Sequence, residues 1–323
     1  MKKKLVEIMN RFKKKKILVI GDIILDKYVF GNVLRISPEA PIPLVEVGWE
    51  NFVPGGAANA ANNLSSLGAD VYVVGMVGDD ANANILFNKL ESRKIKTHLL
   101  IKDKNRRTIL KERIVAQSQH LLRIDYDIKD NISREFENYA INNIIEIIPK
   151  MDSVIVSDYA KGFVTKRIMQ EVTKLCKQHK KYLIIDPRPE NKALYYGANL
   201  IVPNYDEASK IAEIFGKEEE MINKVGNKLR KIYKTNVLVT RGARGMTLFT
   251  DETKHFPTKA KEVYDVSGAG DTVTATLSLA LCSGANLEEA ITLANYAAGI
   301  VVAKFGTSTT TTIEIENSIK NDK

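Results

Sequence analysis

The sequence predicts an α/β fold: a mostly parallel sheet flanked by helices on both faces, with a small β lid. Short β-branched runs recur along the chain, helix-length amphipathic stretches separate them, and several runs end in Asp or Asn. Strand and helix alternating at this spacing form βαβ units whose parallel strands are buried on both faces. Ligands of such sheets bind beyond the carboxyl ends of the strands.

In chain order, residues 17–20 form the first buried strand, which ends at the turn Gly21-Asp22. Strands are expected again over 71–77, 154–157, 182–186, 200–203 and 237–240. Helices are expected near 57–67, 81–93, 134–148, 166–178 and 221–233, then over 271–282 and 287–303. The polar ends Gly21-Asp22, Ser157-Asp158, Asp186 and Asn204 should cluster at one edge of the sheet. Two segments break the rhythm. Residues 28–47 carry Pro38, Pro41 and Pro43, and residues 108–125 alternate Ile109, Ile114, Leu121 and Ile124 with Lys111, Arg113 and Arg123. Both read as strands of a lid, so residues 1–323 read as one domain.

The formal charge of +9 is concentrated at the N-terminus. Residues 1–16 hold eight lysines and arginines against Glu7 alone, a charge of +7 that leaves +2 for the remaining 307 residues. A body at +2 has no field for a polyanion, so nucleic acid is not an expected partner. Leu5, Ile8, Met9 and Phe12 lie at helical spacing, and a helix packed on the body with its lysines in water is preferred to a membrane or nucleic-acid arm. No stretch of about 18 uncharged apolar residues exists, and Asp22 interrupts the one run that could mimic a signal peptide. Cys176 and Cys282 cannot build a disulfide framework, which points to a reducing, cytoplasmic setting.

Neither G-x-x-x-x-G-K-[ST] nor G-x-G-x-x-G occurs, because Val273 stands where the second pattern needs glycine. No H-E-x-x-H or G-x-S-x-G occurs, and the four histidines lack metal-ligand spacing. The strongest signal is Asp265-Val266-Ser267-Gly268-Ala269-Gly270-Asp271-Thr272, which opens a helix. Glycines there let backbone N–H groups converge on one anion at the positive end of a helix dipole. Asp271 in the first turn could take a proton from a hydroxyl nucleophile, or could simply offset the dipole. Gly55 and Gly56 allow a ligand close to the backbone, and Asn59 offers a donor and an acceptor to a sugar hydroxyl. The surrounding alanines equally suit tight helix–strand packing. Thr240-Arg241-Gly242-Ala243-Arg244-Gly245 is, as a bare pattern, a hairpin-like turn.

Together these segments resemble the ribokinase-like (PfkB-type) sugar kinases over residues 17–320. The glycine-rich N-terminal signature is matched from Gly55 to Asn59, the N-x-x-E segment by Asn204 to Glu207, and D-x-x-G-A-G-D by Asp265 to Asp271. The resemblance implies Asp271 as the base and the backbone at Gly268, Ala269 and Gly270 as an anion hole. It implies ATP as co-substrate, with Asn204 and Glu207 near its phosphates and Glu207 holding Mg²⁺ through water. Thr240, Gly242, Gly245 and Asn295 would border the nucleotide, and Asp26 would grip sugar hydroxyls. Many relatives also bind K⁺ near the position of Asp265.

A narrower resemblance is to the heptose-7-phosphate kinases. It rests on the stretch from Gly21 to Tyr28, on Arg35 to Pro43, on Ser157 to Gly162, on Val263 to Gly268, and on Gly306 to Thr309. It implies phosphorylation of the anomeric C1 hydroxyl of D-glycero-D-manno-heptose 7-phosphate, a step of ADP-heptose synthesis, in a chain that dimerises through its lid. Lys111, Arg113 and Lys161 would then meet the sugar's phosphate. No H-x-G-H segment is present, so the nucleotidyltransferase activity of bifunctional relatives is not expected. Asp186-Pro187-Arg188-Pro189 departs from the D-P-K-G of several heptose kinases. A kinase for another sugar, or a sugar or nucleotide sensor on the same scaffold, are the alternatives.

Overall fold

A computed structural model describes residues 2–117 and 119–322. Nine strands form the main sheet. They are β1 (Lys16–Gly21), β4 (Asp70–Gly78), β5 (Leu100–Asp103), β8 (Ser153–Ser157), β9 (Tyr182–Asp186), β10 (Leu200–Ile201), β11 (Asn236–Thr240), β12 (Met246–Phe249) and β13 (Thr253–Phe256). Their spatial order is β13-β12-β11-β10-β9-β8-β1-β4-β5. The seven strands from β11 to β5 run parallel, and the hairpin β12–β13 closes one edge antiparallel. The order reverses direction between β1 and β8, the crevice where doubly wound sheets take their ligands.

The strand β1 shows why both faces need helices. Ile17 and Val19 enter one apolar core while Leu18 and Ile20 enter the other, as a two-residue side-chain period requires. Against the first face lie α1 (Lys2–Met9), α2 (Ala57–Ser66), α3 (Ala81–Ser92), α8 (Ala269–Cys282), α9 (Leu287–Val301) and α10 (Thr312–Asn321). Against the second lie α4 (Arg134–Ile147), α5 (Lys166–Gln178), α6 (Tyr205–Ala212) and α7 (Glu218–Tyr233). The basic N-terminus packs as preferred: Leu5, Ile8, Met9 and Phe12 are buried, and Lys4 reaches Glu289 at 2.5 Å.

The lid is a second sheet of four strands, ordered β3-β2-β6-β7, from β2 (Ile23–Ile36), β3 (Pro43–Gly56), β6 (Ile109–Ala116) and β7 (Gln119–Tyr126). It is larger than the segment 28–47 suggests. β2 starts one residue after Asp22 and β3 runs to Gly56, so lid strands reach the helix α2 directly. The prolines explain the short estimate. Pro38 and Pro41 occupy the turn between the strands and Pro43 opens β3, positions where a missing N–H removes no interior ladder bond.

Candidate active site

Four strand ends and one helix start meet at the crevice. The Asp22 N–H donates to the Ser157 carbonyl at 3.3 Å and the Asp158 N–H to the Asp186 carbonyl at 3.1 Å. Asn204 bridges to Thr240. The polar strand ends therefore do cluster. Asp22 is structural there, accepting N–H groups from Tyr159, Lys161 and Phe163 at 2.8, 3.0 and 3.1 Å.

Above them, α8 enters at Gly268, whose φ of 77° is the left-handed conformation glycine tolerates. A Cβ at Gly268 would stand 2.6 Å from Asn59 Nδ2, so this glycine also makes room for Asn59. Among the described residues, the N–H groups of Gly268, Gly270 and Asp271 donate no backbone hydrogen bond, whereas that of Ala269 donates to Val266 at 3.2 Å. Three of the four donors of the helix entrance are thus available to an anion, and Ala269 is the one already engaged.

Asp271 is buried and held on both oxygens. Asn59 Nδ2 donates to Oδ2 at 2.7 Å and the Tyr159 hydroxyl to Oδ1 at 3.1 Å. Burial is the main force on its carboxyl and pushes its pKa up to about 6. It lines a cavity of about 210 Å³ shared with Asp26, Gly56, Lys111, Arg113 and Arg188.

The expected sugar-side residues separate into three groups. Asp26, Asn59, Gly56, Lys111 and Arg113 converge on the cavity or on Asp271. Arg113 Nη1 pairs with Asp26 Oδ1 at 2.7 Å, while Lys111 lies 5.5 Å from the Tyr159 ring centroid and is held below its ordinary pKa by burial. Gly55 acts indirectly, since a Cβ there would meet Asp26 Oδ2 at 2.5 Å. Lys161 is a correction. Its ammonium pairs with Asp127, outside the cavity, and only its backbone N–H contributes nearby.

On the opposite side, Asn204 and Glu207 form a capping box at the start of α6, each side chain accepting the other's N–H at 2.9 Å. Glu207 Oε1 also takes Arg188 Nη1 at 2.6 Å. Gly242 (φ 54°) and Gly245 (φ 77°) turn the β11–β12 connection. Asn295 uses both ends of its amide on backbone, accepting from Lys259 at 3.1 Å and donating to Pro257 at 2.6 Å. It fastens the 257–259 segment. Asp265 similarly fastens loops, accepting from the Ser267 N–H at 2.8 Å and the Gly306 N–H at 3.0 Å.

Arg188 was not among the expected residues. Its guanidinium lies 4.6 Å from the Tyr159 ring centroid, pairs with Glu207 and lines the cavity. It links the side holding Asp271 to the side holding Glu207. The only sequence signal was a cation two residues after the strand-ending Asp186.

Oxygen donors suit a hard cation beside Glu207. Burial, the charges of Glu207 and Asp271 and the nearby Asp158 drive the Asp186 carboxyl well above its usual range, against the opposing pull of Arg188. That negative charge is what a bound Mg²⁺ would neutralise. Asp265, like Glu207, accepts N–H groups on both oxygens.

The profile described as pfkB family carbohydrate kinase matches residues 14–314. The chain belongs to this family. It is therefore a carbohydrate kinase, and the family's activity implies ATP as co-substrate. Curated relatives include the bifunctional protein HldE of Nitratiruptor sp., 42% identical over 304 residues, which cover 94% of this chain and 64% of that protein. HldE of Sulfurimonas denitrificans is 39% identical over 302 residues, 93% of this chain and 63% of that protein. The chain thus spans less than two thirds of the length of these relatives. Solved structures with the same fold include Arabidopsis thaliana ribokinase complexed with ribose and ATP (TM-score 0.75, 21% identity, covering 96% of this chain and all of that one). Phosphofructokinase-2 from Escherichia coli superposes with TM-score 0.77 at 18% identity, covering 95% of this chain and 98% of that one. No helix among the described residues is long and apolar enough to cross a membrane.

Proposed function

We propose that this kinase transfers the γ-phosphoryl group of ATP to the anomeric C1 hydroxyl of D-glycero-D-manno-heptose 7-phosphate, giving the 1,7-bisphosphate for ADP-heptose synthesis. The observation that carries the chemistry is Asp271, buried, held on both oxygens and seated in the first turn of α8. Its carboxylate takes the proton of the C1 hydroxyl. The C1 oxygen then bonds to the γ-phosphorus as the bond to the β-phosphate oxygen breaks, and ADP leaves. The free N–H groups of Gly268, Gly270 and Asp271 face the charge on the transferring group. Mg²⁺, held through water by Glu207 with Asp186 nearby, would neutralise phosphate charge.

Support for the heptose comes from the relatives named HldE and from the cations of the lid. In this reading Asp26, paired with Arg113, accepts from sugar hydroxyls, and Lys111, which lines the same cavity and has no ion pair among the described residues, meets the 7-phosphate. The lid also exposes Leu34, Ile36, Ile42 and Val47. A second copy of this chain is the occupant that the proposed homodimer puts there. Replacing Asp271 by Asn tests the chemistry: phosphoryl transfer falls by about 10²–10⁴-fold while ATP still binds. A variant with undiminished kcat would remove Asp271 from the base role.

A further inference from the structure

A second concavity of about 530 Å³ adjoins the first across the contact between Tyr28 and Thr307. β3 of the lid, α2, α3 and residues 304–309 wall it. Lys89, Arg93 and Lys304 line it, and no carboxylate does. Lys304 is engaged by Glu314 at 2.6 Å, but Lys89 and Arg93 form no ion pair among the described residues. Lys89 in the last turn of α3 and Arg93 just past its end bring two positive charges to one wall.

Two further features point to a ligand. Asn62 is only 6% exposed and lines this concavity, yet its Oδ1 is buried with no hydrogen-bond partner among the described residues. Such an acceptor is unfavourable unless something donates to it. Phe30 and Trp49 stack with ring centroids 3.8 Å apart and form an apolar wall, and Trp49 is 57% exposed.

We propose that this concavity is a second binding site, for a small phosphate ester that also carries hydroxyl groups. The phosphate meets Lys89 and Arg93, the Asn62 amide turns to take a ligand hydroxyl on Oδ1, and the carbon skeleton or base lies on Trp49. Sugar phosphates and nucleotides share this chemistry. The site communicates with the catalytic cavity through Thr307, which lines both. The Thr307 N–H donates to the Tyr28 oxygen at 3.2 Å and its hydroxyl to Asp26 Oδ2 at 3.4 Å. Occupancy bears on residues 304–309 and so on the position of Asp26, making the ligand an effector of turnover. The inference rests on this geometry and not on the identity of the acceptor sugar.

Trp49 is the only tryptophan of the chain, so its fluorescence reads this site directly. The whole chain is titrated with ribose 5-phosphate, with AMP and with inorganic phosphate alone. One of the two esters is expected to give a saturable change, ribose 5-phosphate marking a sugar-phosphate site and AMP a nucleotide site. Its affinity should fall about tenfold or more in Lys89→Ala/Arg93→Ala and survive in Lys111→Ala. In Asn62→Ala the ester should weaken while inorganic phosphate does not. Without ligand, the Lys89→Ala/Arg93→Ala variant should keep wild-type kcat and KM, which also shows that it folds. Loss of the response in Lys111→Ala with retention in the double variant would place the ester in the catalytic cavity and overturn the proposal. So would a raised basal KM for the acceptor in the double variant, an equal response to inorganic phosphate, or no saturable response to either ester.

Discussion

Asn59 Nδ2 meets Asp271 Oδ2 at 2.7 Å although 212 residues separate the two in sequence. The amide is oriented from behind. Thr272 Oγ1 donates to Asn63 Oδ1 at 2.7 Å, and Asn63 Nδ2 donates to Asn59 Oδ1 at 3.2 Å, leaving Nδ2 of Asn59 to face the carboxylate. A hydrogen bond to the ionised form favours it, so this relay opposes the desolvation of Asp271. The acid limb of kcat against pH should therefore lie near 6. In Asn59→Ala it should move to higher pH, because the burial remains and a donor is lost. A limb that stays in place or moves down would detach Asn59 from the base.

The same burial predicts a conflict between stability and activity. The carboxyl of Asp271 titrates at about 6 in the folded chain, against about 3.9 for an unfolded aspartate. The folded state then binds more protons between those values, so this group's contribution is fully present below about pH 4 and is lost as pH rises through about 6. Asp271→Asn removes the buried charge and should stabilise the fold at pH 8 by about 1–3 kcal/mol. Urea unfolding at pH 8 and pH 5 checks this, and the gain should shrink at pH 5.

Arg188 joins the two halves of the site, and its replacement should show on both. Arg188→Ala leaves Glu207, which is 7% exposed, without its cation and should lower stability by about 1–3 kcal/mol. It should raise KM for Mg-ATP, lower kcat and also raise KM for the sugar, whose cavity it lines. Arg188→Lys keeps a charge but not the planar group stacked on Tyr159, so it should recover ATP binding more fully than kcat. Steady-state kinetics with each substrate varied in turn separates these effects.

Lys111 and Arg113 should behave differently from each other. Lys111→Ala should raise KM for a phosphorylated acceptor more than KM for ATP, at little expense in stability. Arg113→Ala should do the same and also destabilise the fold, because Asp26 is buried and loses its partner at 2.7 Å. Equal changes in both Michaelis constants would remove these residues from acceptor binding.

Much of the sheet was legible because its strands are buried on both faces and read as uninterrupted apolar runs. β9 and α5 begin and end where periodicity places them. The helices α6 and α10 went unread although each starts with a capping box, Asn204 with Glu207 and Thr311 with Glu314. Each is short, so its apolar period is brief. At the site, the glycine-flanked Asp271 was visible as a motif, but its partners arrive from distant strand ends. Arg188 gains its meaning from the Tyr159 ring and Glu207, contacts that no local pattern contains. Lys161 shows the converse: a cation in a glycine-ended loop after a strand looked suited to a phosphate, yet Asp127 takes it away from the cavity.

The central claim is tested most directly by ADP release with Mg-ATP against D-glycero-D-manno-heptose 7-phosphate, its anomers separated, beside ribose, fructose and fructose 6-phosphate. Turnover confined to the heptose phosphate, with the new phosphate on C1, is the predicted result. Turnover only on a comparison sugar, or ATP binding without turnover on any of them, would contradict it.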